Sequence, residues 1–164
     1  MSYTHRHELL ELLPGVGEGL KLLAQLPCHL IVVSNQAGIG LGIFTEKDMR
    51  DFNAALRLRV GAADGRLDAF YYCPHLEKKD LPAGAALCEC SKPAPGLIFE
   101  AAEDYNLDLK RSFLIGDRET DVLAGRAAHC RTILLSAVPA QTSATYVAAN
   151  LTQAAQWIRT QVEG

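Results

Sequence analysis

Three cysteines and one histidine form two short pairs near the middle of the chain, Cys73 with His75 and Cys88 with Cys90. Three thiolates and an imidazole are the complete donor set of a tetrahedral structural zinc site, which shapes its surroundings without activating water. The segment between the pairs has little hydrophobic periodicity and needs a crosslink to hold a fixed shape. The spacing therefore predicts a zinc loop over about residues 73–90; the alternative is reduced cysteines beside a chance histidine.

Two aspartates follow an apolar segment later in the chain. Asp117 ends that segment, and Asp121 lies one helical turn further on, so the two carboxylates can share one site. Oxygen ligands of this kind suit Mg²⁺, which takes few protein carboxylates and completes its shell with water and substrate phosphate. The pair thus indicates a magnesium site. The alternative, a helix N-cap with a solvated partner, accounts for Asp121 more readily than for Asp117.

A third set of residues is suited to binding an oxyanion. Ser34, Asn35 and Gln36 precede a glycine-bearing loop at 37–42, and together they offer a hydroxyl, amides and backbone N–H groups. Lys92 lies just before two prolines that stiffen the backbone and can direct its ammonium group at an anion. Taken singly, each feature has a plainer interpretation, a strand-to-helix turn in the first case and a solvated lysine in the second.

The elements that must position these residues are visible in the hydrophobic pattern. Short β-branched apolar segments, typical of strands buried on both faces, occupy 29–34, 68–73, 112–117 and 131–135. Helical patterns cover 15–26, 45–60, 95–105, 119–128 and 151–162, and 138–144 is a surface loop. This alternation predicts an α/β fold with a mostly parallel sheet and helices on both faces. In such sheets ligands bind beyond the carboxyl ends of the strands, which is where the candidate residues lie.

Composition narrows the possible partners. The chain has 164 residues, 49% of them hydrophobic and 21% charged, as expected for one globular domain. A net charge of −3 provides no positive field for nucleic acid or an anionic membrane surface. We find no bilayer-length apolar run or signal peptide, so we expect a cytoplasmic protein with no membrane or nucleic-acid partner. The cysteines outside the zinc set, Cys28 and Cys130, are expected to be small buried apolar residues.

The order of the motifs resembles that of the haloacid-dehalogenase-like (HAD) phosphatases. The similarity is to the zinc-loop branch that contains D-glycero-D-manno-heptose 1,7-bisphosphate phosphatase and the histidinol-phosphatase domain, and it extends from about Pro14 to the last helix. It implies one HAD-like domain over residues 1–164, with a Rossmann-like sheet and a zinc-loop insertion at about 73–90. It also implies hydrolysis of a small phosphorylated metabolite of the sugar-phosphate type, with Mg²⁺ and Zn²⁺ as cofactors.

The resemblance gives the candidate residues roles by position. Ser34 and Asn35 would bind the transferred phosphoryl group, with Gln36 beside them, and Lys92 would balance its charge. Asp117 would bind Mg²⁺ with support from Asp121. Zinc would be held by Cys73, His75, Cys88 and Cys90.

The first strand of the family, which ends in Asp-x-Asp-Gly, has no counterpart in this sequence. In the family the first of these aspartates attacks phosphorus and the second is the acid/base, so no catalytic residue is carried over and covalent catalysis is not expected of this chain alone. That strand lies at the centre of the family's sheet, so its neighbours are left without ladder partners. Residues 5–14 resemble the linker that follows it.

Three hypotheses follow from this mixture of matches and departures. The favoured one is a phosphatase of small phosphorylated metabolites whose nucleophile-bearing strand is encoded before Met1. The second is a non-catalytic protein that binds a phosphorylated ligand or another protein. It is supported by Leu41 and Ser91, which stand where branch members have arginines that bind a second phosphate or a sugar. The third is a zinc-stabilised interaction module.

Overall fold

In a computed structural model, which describes residues 10–163 except the side chain of Lys79, helices and strands alternate along the chain. The strands are β1 Ile31–Asn35, β2 Ala69–Cys73, β3 Phe113–Gly116, β4 Arg131–Leu135 and β5 Tyr146–Ala148. The helices are α1 Val16–Ala24, α2 Ala37–Gly40, α3 Glu46–Gly61, α4 Gly96–Tyr105, α5 Glu119–Ala127 and α6 Leu151–Glu163. Short 3-10 turns occupy Lys78–Asp80 and Leu109–Arg111.

The predicted α/β alternation is confirmed. All four predicted strands and all five predicted helices are present, with ends that differ from the predicted ones by a few residues. Two elements were not predicted, the single-turn helix α2 and the strand β5, because four and three residues are too few to show a hydrophobic period. Helix α3 begins with a capping box in which Thr45 and Asp48 each bind the other's backbone N–H.

The strands form two parallel sheets within the described residues. β1 pairs with β2 in the register Ile31 opposite Ala69, and the second sheet has the order β3-β4-β5. Within 10–163, no strand joins β1 to β3. The mostly parallel sheet is therefore confirmed as to strand direction, and its two parts are separated where the family's first strand was expected.

A gap lies between the edge strands β1 and β3. It has a volume of about 420 Å³, and its lining includes apolar side chains of both strands, such as Ile31 and Ile115. The β1 strand is half-buried along its whole length rather than fully buried, since one of its edges faces this gap. The position and apolar lining of the gap suit an additional strand.

Alternate backbone groups of both edge strands point into the gap. The Leu30 carbonyl accepts a 2.7 Å hydrogen bond from the residue before β2, so the backbone groups of Ile31 and Val33 face the other way. The carbonyl before β3 accepts a 3.0 Å bond from β4 in the same manner, which directs the backbone groups of Phe113 and Ile115 into the gap. The gap is thus lined by hydrogen-bonding groups as well as by apolar side chains.

Helices cover both faces of the β3-β4-β5 sheet. Ile133 of β4 is fully buried against α1 and α6 in one cluster, which also contains Ile158. A second cluster on the other face joins Ile98 of α4 with Ala124 of α5, and Leu114 of β3 packs against it. The predicted two-sided layering is confirmed for this sheet.

Some local expectations need correction or lie outside the described residues. Cys28 was predicted to be buried but is exposed, because it lies in the loop between α1 and β1 instead of on a core-facing element. Cys130 is half-buried, and desolvation raises the pKa of its thiol to about 11. Residues 138–144 form the predicted loop. The first part of the linker-like segment 5–14 falls outside the described residues.

Within residues 10–163, no helix is both long and apolar enough to cross a bilayer. The longest helix, α3, carries charged residues through most of its turns.

Close packing of α1 against α6 yields a test of the fold. A methyl group added at Gly19 would lie 2.7 Å from the backbone carbon of Leu151, so we expect Gly19→Ala to lower the free energy of unfolding by about 1–3 kcal/mol. Gly61 at the end of α3 has open space around it, and Gly61→Ala should raise that free energy by about 0.5 kcal/mol. Urea unfolding of both variants measures the difference. Equal effects would contradict the packing of α1 on α6.

Candidate functional site

Lys92 bridges the two sheets at one end of the gap. Its Nζ lies 2.9 Å from the carbonyl oxygen of Val33 on β1 and 2.6 Å from Oδ1 of Asp121 on α5. The Asp121 side chain lies against Gly116, the last residue of β3, where an added Cβ would approach it to 2.3 Å. The carboxyl ends of β1 and β3 therefore lie side by side, at the edge where parallel sheets bind ligands.

The two aspartates of the candidate magnesium site differ in their surroundings. Asp121 is 6% exposed, and its second oxygen accepts a 3.1 Å hydrogen bond from the N–H of Arg118, so both of its oxygens are engaged. The capping role considered for Asp121 is therefore present. Asp117 is exposed, and within residues 10–163 its carboxylate makes no hydrogen bond or ion pair. Asp117 is thus the carboxylate with free oxygens for a cation.

The residues at the end of β1 and in the loop after it are partly committed to local contacts. The hydroxyl of Ser34 accepts a 3.1 Å hydrogen bond from Nε2 of Gln36, and the hydroxyl hydrogen remains to be donated. The glycine-bearing loop was expected to offer its N–H groups to a phosphate. The loop contains α2, and the N–H groups of residues 39, 41, 42 and 43 bond to carbonyls of residues 36–39. Within residues 10–163 the N–H groups of Ala37 and Gly38, at the start of α2, make no such bond, so they and the Ser34 hydroxyl remain candidate donors to a phosphate.

Asn35 makes a contact that the sequence did not indicate. Its side chain binds both backbone polar groups of Lys92, at 3.0 and 2.9 Å. The structure therefore places Asn35 next to the candidate phosphate site, with its amide directed at a loop backbone. No residue pattern reports a partner of this kind, because any residue type at position 92 would offer the same backbone groups.

The four candidate zinc ligands converge. One donor atom from each of Cys73, His75, Cys88 and Cys90 lies within 4.8 Å of all the others. The Cys73 sulfur lies 3.4 Å from that of Cys88 and 2.9 Å from that of Cys90, and Nδ1 of His75 lies 3.2 Å from the Cys90 sulfur. Two thiolates on one tetrahedral zinc at about 2.3 Å are separated by somewhat more than this, so a small expansion would admit the ion.

The three thiols of the cluster differ in pKa because they share hydrogen bonds with one another. Burial raises the pKa of Cys73 and of Cys90. Burial also acts to raise the pKa of Cys88, but hydrogen bonds from the other two thiols and from the N–H of Ser91 outweigh it and lower the value to about 7. One thiol of the set can therefore give up its proton near neutral pH, as a metal ligand must.

Close backbone approaches connect the cysteine cluster to the rest of the site. A Cβ at Gly40 of α2 would lie 2.9 Å from the carbonyl oxygen of Pro74, and one at Gly96 would lie 2.3 Å from that of Glu89. The Gly96 N–H donates to the same Glu89 carbonyl at 3.0 Å. The cluster is therefore fixed between α2 and the start of α4, two residues from Lys92.

Comparison with known proteins gives consistent matches. A family model described as HAD-hydrolase-like matches residues 89–154. The chain is 34% identical over 161 residues to a D-glycero-beta-D-manno-heptose-1,7-bisphosphate 7-phosphatase of Helicobacter pylori, covering 96% of this chain and 88% of that one. It is 31% identical over 134 residues to the protein of that name from Salmonella typhi, covering 82% and 71%.

Solved structures show the same fold. The crystal structure of D,D-heptose 1,7-bisphosphate phosphatase from B. bronchiseptica, complexed with magnesium and phosphate, matches with a TM-score of 0.77 and 25% identity, over 91% of this chain and 84% of that one. The enzyme of that name from Burkholderia thailandensis matches with a TM-score of 0.65 and 22% identity, over 96% and 92%. The HAD-like, Rossmann-like fold expected from the motifs is thereby confirmed.

The bridge made by Lys92 should stabilise the fold. Lys92→Met leaves the Asp121 carboxylate without its cation and the Val33 carbonyl without its donor, so we expect a loss of about 3 kcal/mol in the free energy of unfolding. Lys47→Met is the matched control. It removes an exposed, solvent-screened ion pair with Asp51, and we expect little or no loss. Similar losses in urea unfolding would show that the Lys92 bridge is not a stabilising contact.

Proposed function

Because the chain belongs to the heptose bisphosphate phosphatase family of HAD-like hydrolases, we propose that it takes part in Mg²⁺-dependent hydrolysis of a small sugar phosphate. The names of the relatives point to the 7-phosphate of D-glycero-β-D-manno-heptose 1,7-bisphosphate as the group removed. One observation carries the proposal: Lys92 and Asp121 meet at the carboxyl ends of β1 and β3, with Asp117 directly after β3.

In this proposal the chain supplies the phosphate-binding part of the site. The ammonium of Lys92 and the hydroxyl of Ser34 would contact phosphoryl oxygens. Since Asp121 already balances Lys92, and Asp117 adds a negative charge, these three side chains alone do not offset a phosphate dianion. The free carboxylate of Asp117 fits Mg²⁺, which supplies positive charge at the phosphoryl oxygens when bound. Asp121 would support the site by holding Lys92.

The nucleophile is the component that the sequence does not contain, since it has no Asp-x-Asp. We propose that an apolar strand outside the described residues carries it and fills the gap between β1 and β3. The backbone groups that Ile31 and Phe113 direct into the gap are partners for such a strand. A parallel strand there would end beside Lys92 and Asp117, where its aspartate could reach the phosphate.

We further propose that the cysteine cluster holds one zinc ion. The donor set fits because four deprotonatable ligands of suitable type already converge. Zn²⁺, when bound, would close the loop 73–90 with no free coordination position, so it would stabilise the loop that precedes Lys92. The five free cysteines suit a reducing compartment, and we propose that the protein acts in the cytoplasm.

The test of the activity supplies the strand separately. The 164-residue chain is mixed with a synthetic apolar peptide that ends in Asp-x-Asp, and phosphate release from the heptose bisphosphate is measured with and without Mg²⁺. We expect release only when chain, peptide and Mg²⁺ are all present. A matched peptide with Asn for the first Asp should give none, and Asp117→Asn should slow release by about 100-fold.

Other outcomes separate the hypotheses. Mg²⁺-dependent binding of inorganic phosphate by the chain, with no release under any condition, would favour the non-catalytic phospho-ligand-binding protein. Failure to bind phosphate with Mg²⁺ would reject the proposed site itself. If phosphate binding is absent but Cys88→Ser and Cys90→Ser abolish capture of a protein partner, the zinc-stabilised interaction module is favoured.

The zinc proposal is tested by metal content and stability. We expect one zinc ion per chain, lost on Cys88→Ser, with a fall of more than about 3 kcal/mol in the free energy of unfolding because metal binding is coupled to folding. Cys130→Ser is the control, since Cys130 lies outside the cluster and should leave zinc content unchanged. Metal analysis and urea unfolding measure both. Unchanged zinc content in Cys88→Ser would reject the four-ligand assignment.

A further inference from the structure

Asn35 binds the Lys92 backbone at two points. Its Nδ2 donates to the Lys92 carbonyl at 3.0 Å, and its Oδ1 accepts from the Lys92 N–H at 2.9 Å. Because a carbonyl only accepts and an N–H only donates, this pair fixes which way the carboxamide points. Oδ1 and one of the two amide hydrogens are thereby used, which leaves one hydrogen for any other partner.

The strand end makes Asn35 a rigid anchor. β1 is paired residue for residue with β2 from Ile31 to Asn35, so the side chain starts from a fixed backbone. On its other side, Lys92 is two residues from Cys90, a member of the converging cysteine cluster. The Lys92 backbone is thus held between the sheet and the cluster.

The position of the ammonium group depends on this backbone. A lysine side chain has four rotatable bonds, so the position of its charge is set by the choice of rotamer. Fixing that rotamer costs conformational entropy, and a fixed backbone lowers the cost. The Lys92 side chain is only 14% exposed and reaches both the Val33 carbonyl and Asp121. A shift of the loop by more than about 1 Å would lengthen one of these two contacts beyond hydrogen-bond range.

We propose that Asn35 is a positioning residue, which holds the Lys92 backbone so that the ammonium group falls at the carboxyl ends of β1 and β3. This role differs from direct contact with the phosphoryl group, the role suggested by the position of Asn35 after Ser34. Its consequence for phosphate rests on the proposed function, whereas the placement of Lys92 is measurable without any ligand.

The experiment measures the accessibility of Lys92 directly. The chain is acetylated briefly without phosphate or Mg²⁺, and the modification of each lysine is quantified by mass spectrometry. In Asn35→Ala we expect modification of Lys92 to rise at least about fivefold relative to Lys21 and Lys47, because the freed loop releases the stem from its bridge. Asn35→Gln should behave in the same way, since its amide is displaced by one methylene group.

Two controls separate positioning from general loss of structure. Asn53→Ala removes a carboxamide from α3 and should leave Lys92 modification unchanged. The circular dichroism spectrum and zinc content of each variant must match those of the chain without substitutions. If Asn35→Ala does not fold, Asn35→Gln is used for the test. A second readout is inorganic phosphate binding in Mg²⁺, which both Asn35 variants should weaken by about 10-fold through the displaced ammonium.

The outcomes are distinct. Unchanged Lys92 modification in folded Asn35→Ala overturns the positioning role, and weaker phosphate binding with unchanged modification would instead indicate direct phosphate contact. If the chain without substitutions does not bind phosphate, the proposed function fails. In that case a rise in Lys92 modification would still establish that Asn35 sets the place of Lys92.

Discussion

The contact on which the site depends is the bridge from Lys92 to Asp121 and Val33. Its members are nearly buried, and moving two charges out of water costs several kcal/mol for each ion. The cost is offset only where the geometry is good and the remaining hydrogen-bonding positions of both ions are occupied. Here a 2.6 Å contact between the charges, the Arg118 N–H on the second carboxylate oxygen and the Val33 carbonyl on the ammonium meet that condition. The bridge joins the β1-β2 sheet to the β3-β4-β5 sheet beside the gap.

Several separate parts of the chain converge on Lys92. Asn35 fixes its backbone from the end of β1, and the cysteine cluster fixes the loop two residues before it. Asp121 fixes its charge from the first turn of α5, whose position is set by contact with Gly116. A glycine is required there because any Cβ would overlap the carboxylate. A change in any one of these anchors therefore acts on the charge at the proposed phosphate site.

Much of the fold was predictable because burial imposes visible periods on long elements. The segments at β1 to β4 are β-branched and apolar, and the helices show helical spacing, whereas α2 and β5 are too short for either signal. The candidate ligands could be proposed from the sequence because their side chains carry the chemistry themselves. The partner of Asn35 was not, since it is a backbone. Cys28 was misjudged because residue type alone does not report that a cysteine lies in a loop.

The gap imposes a further condition on the site. A strand entering between β1 and β3 would pair with backbone groups of Val33, yet the carbonyl of Val33 already accepts a hydrogen bond from Lys92. Either the strand ends before it reaches that carbonyl, or Lys92 gives up this bond and turns towards a group that the strand brings. A carboxylate at the end of the strand would be a stronger partner for the ammonium than a carbonyl is. The same lysine would thus bind the Val33 carbonyl while the gap is open. It would bind the acidic end of the strand once the strand fills the gap.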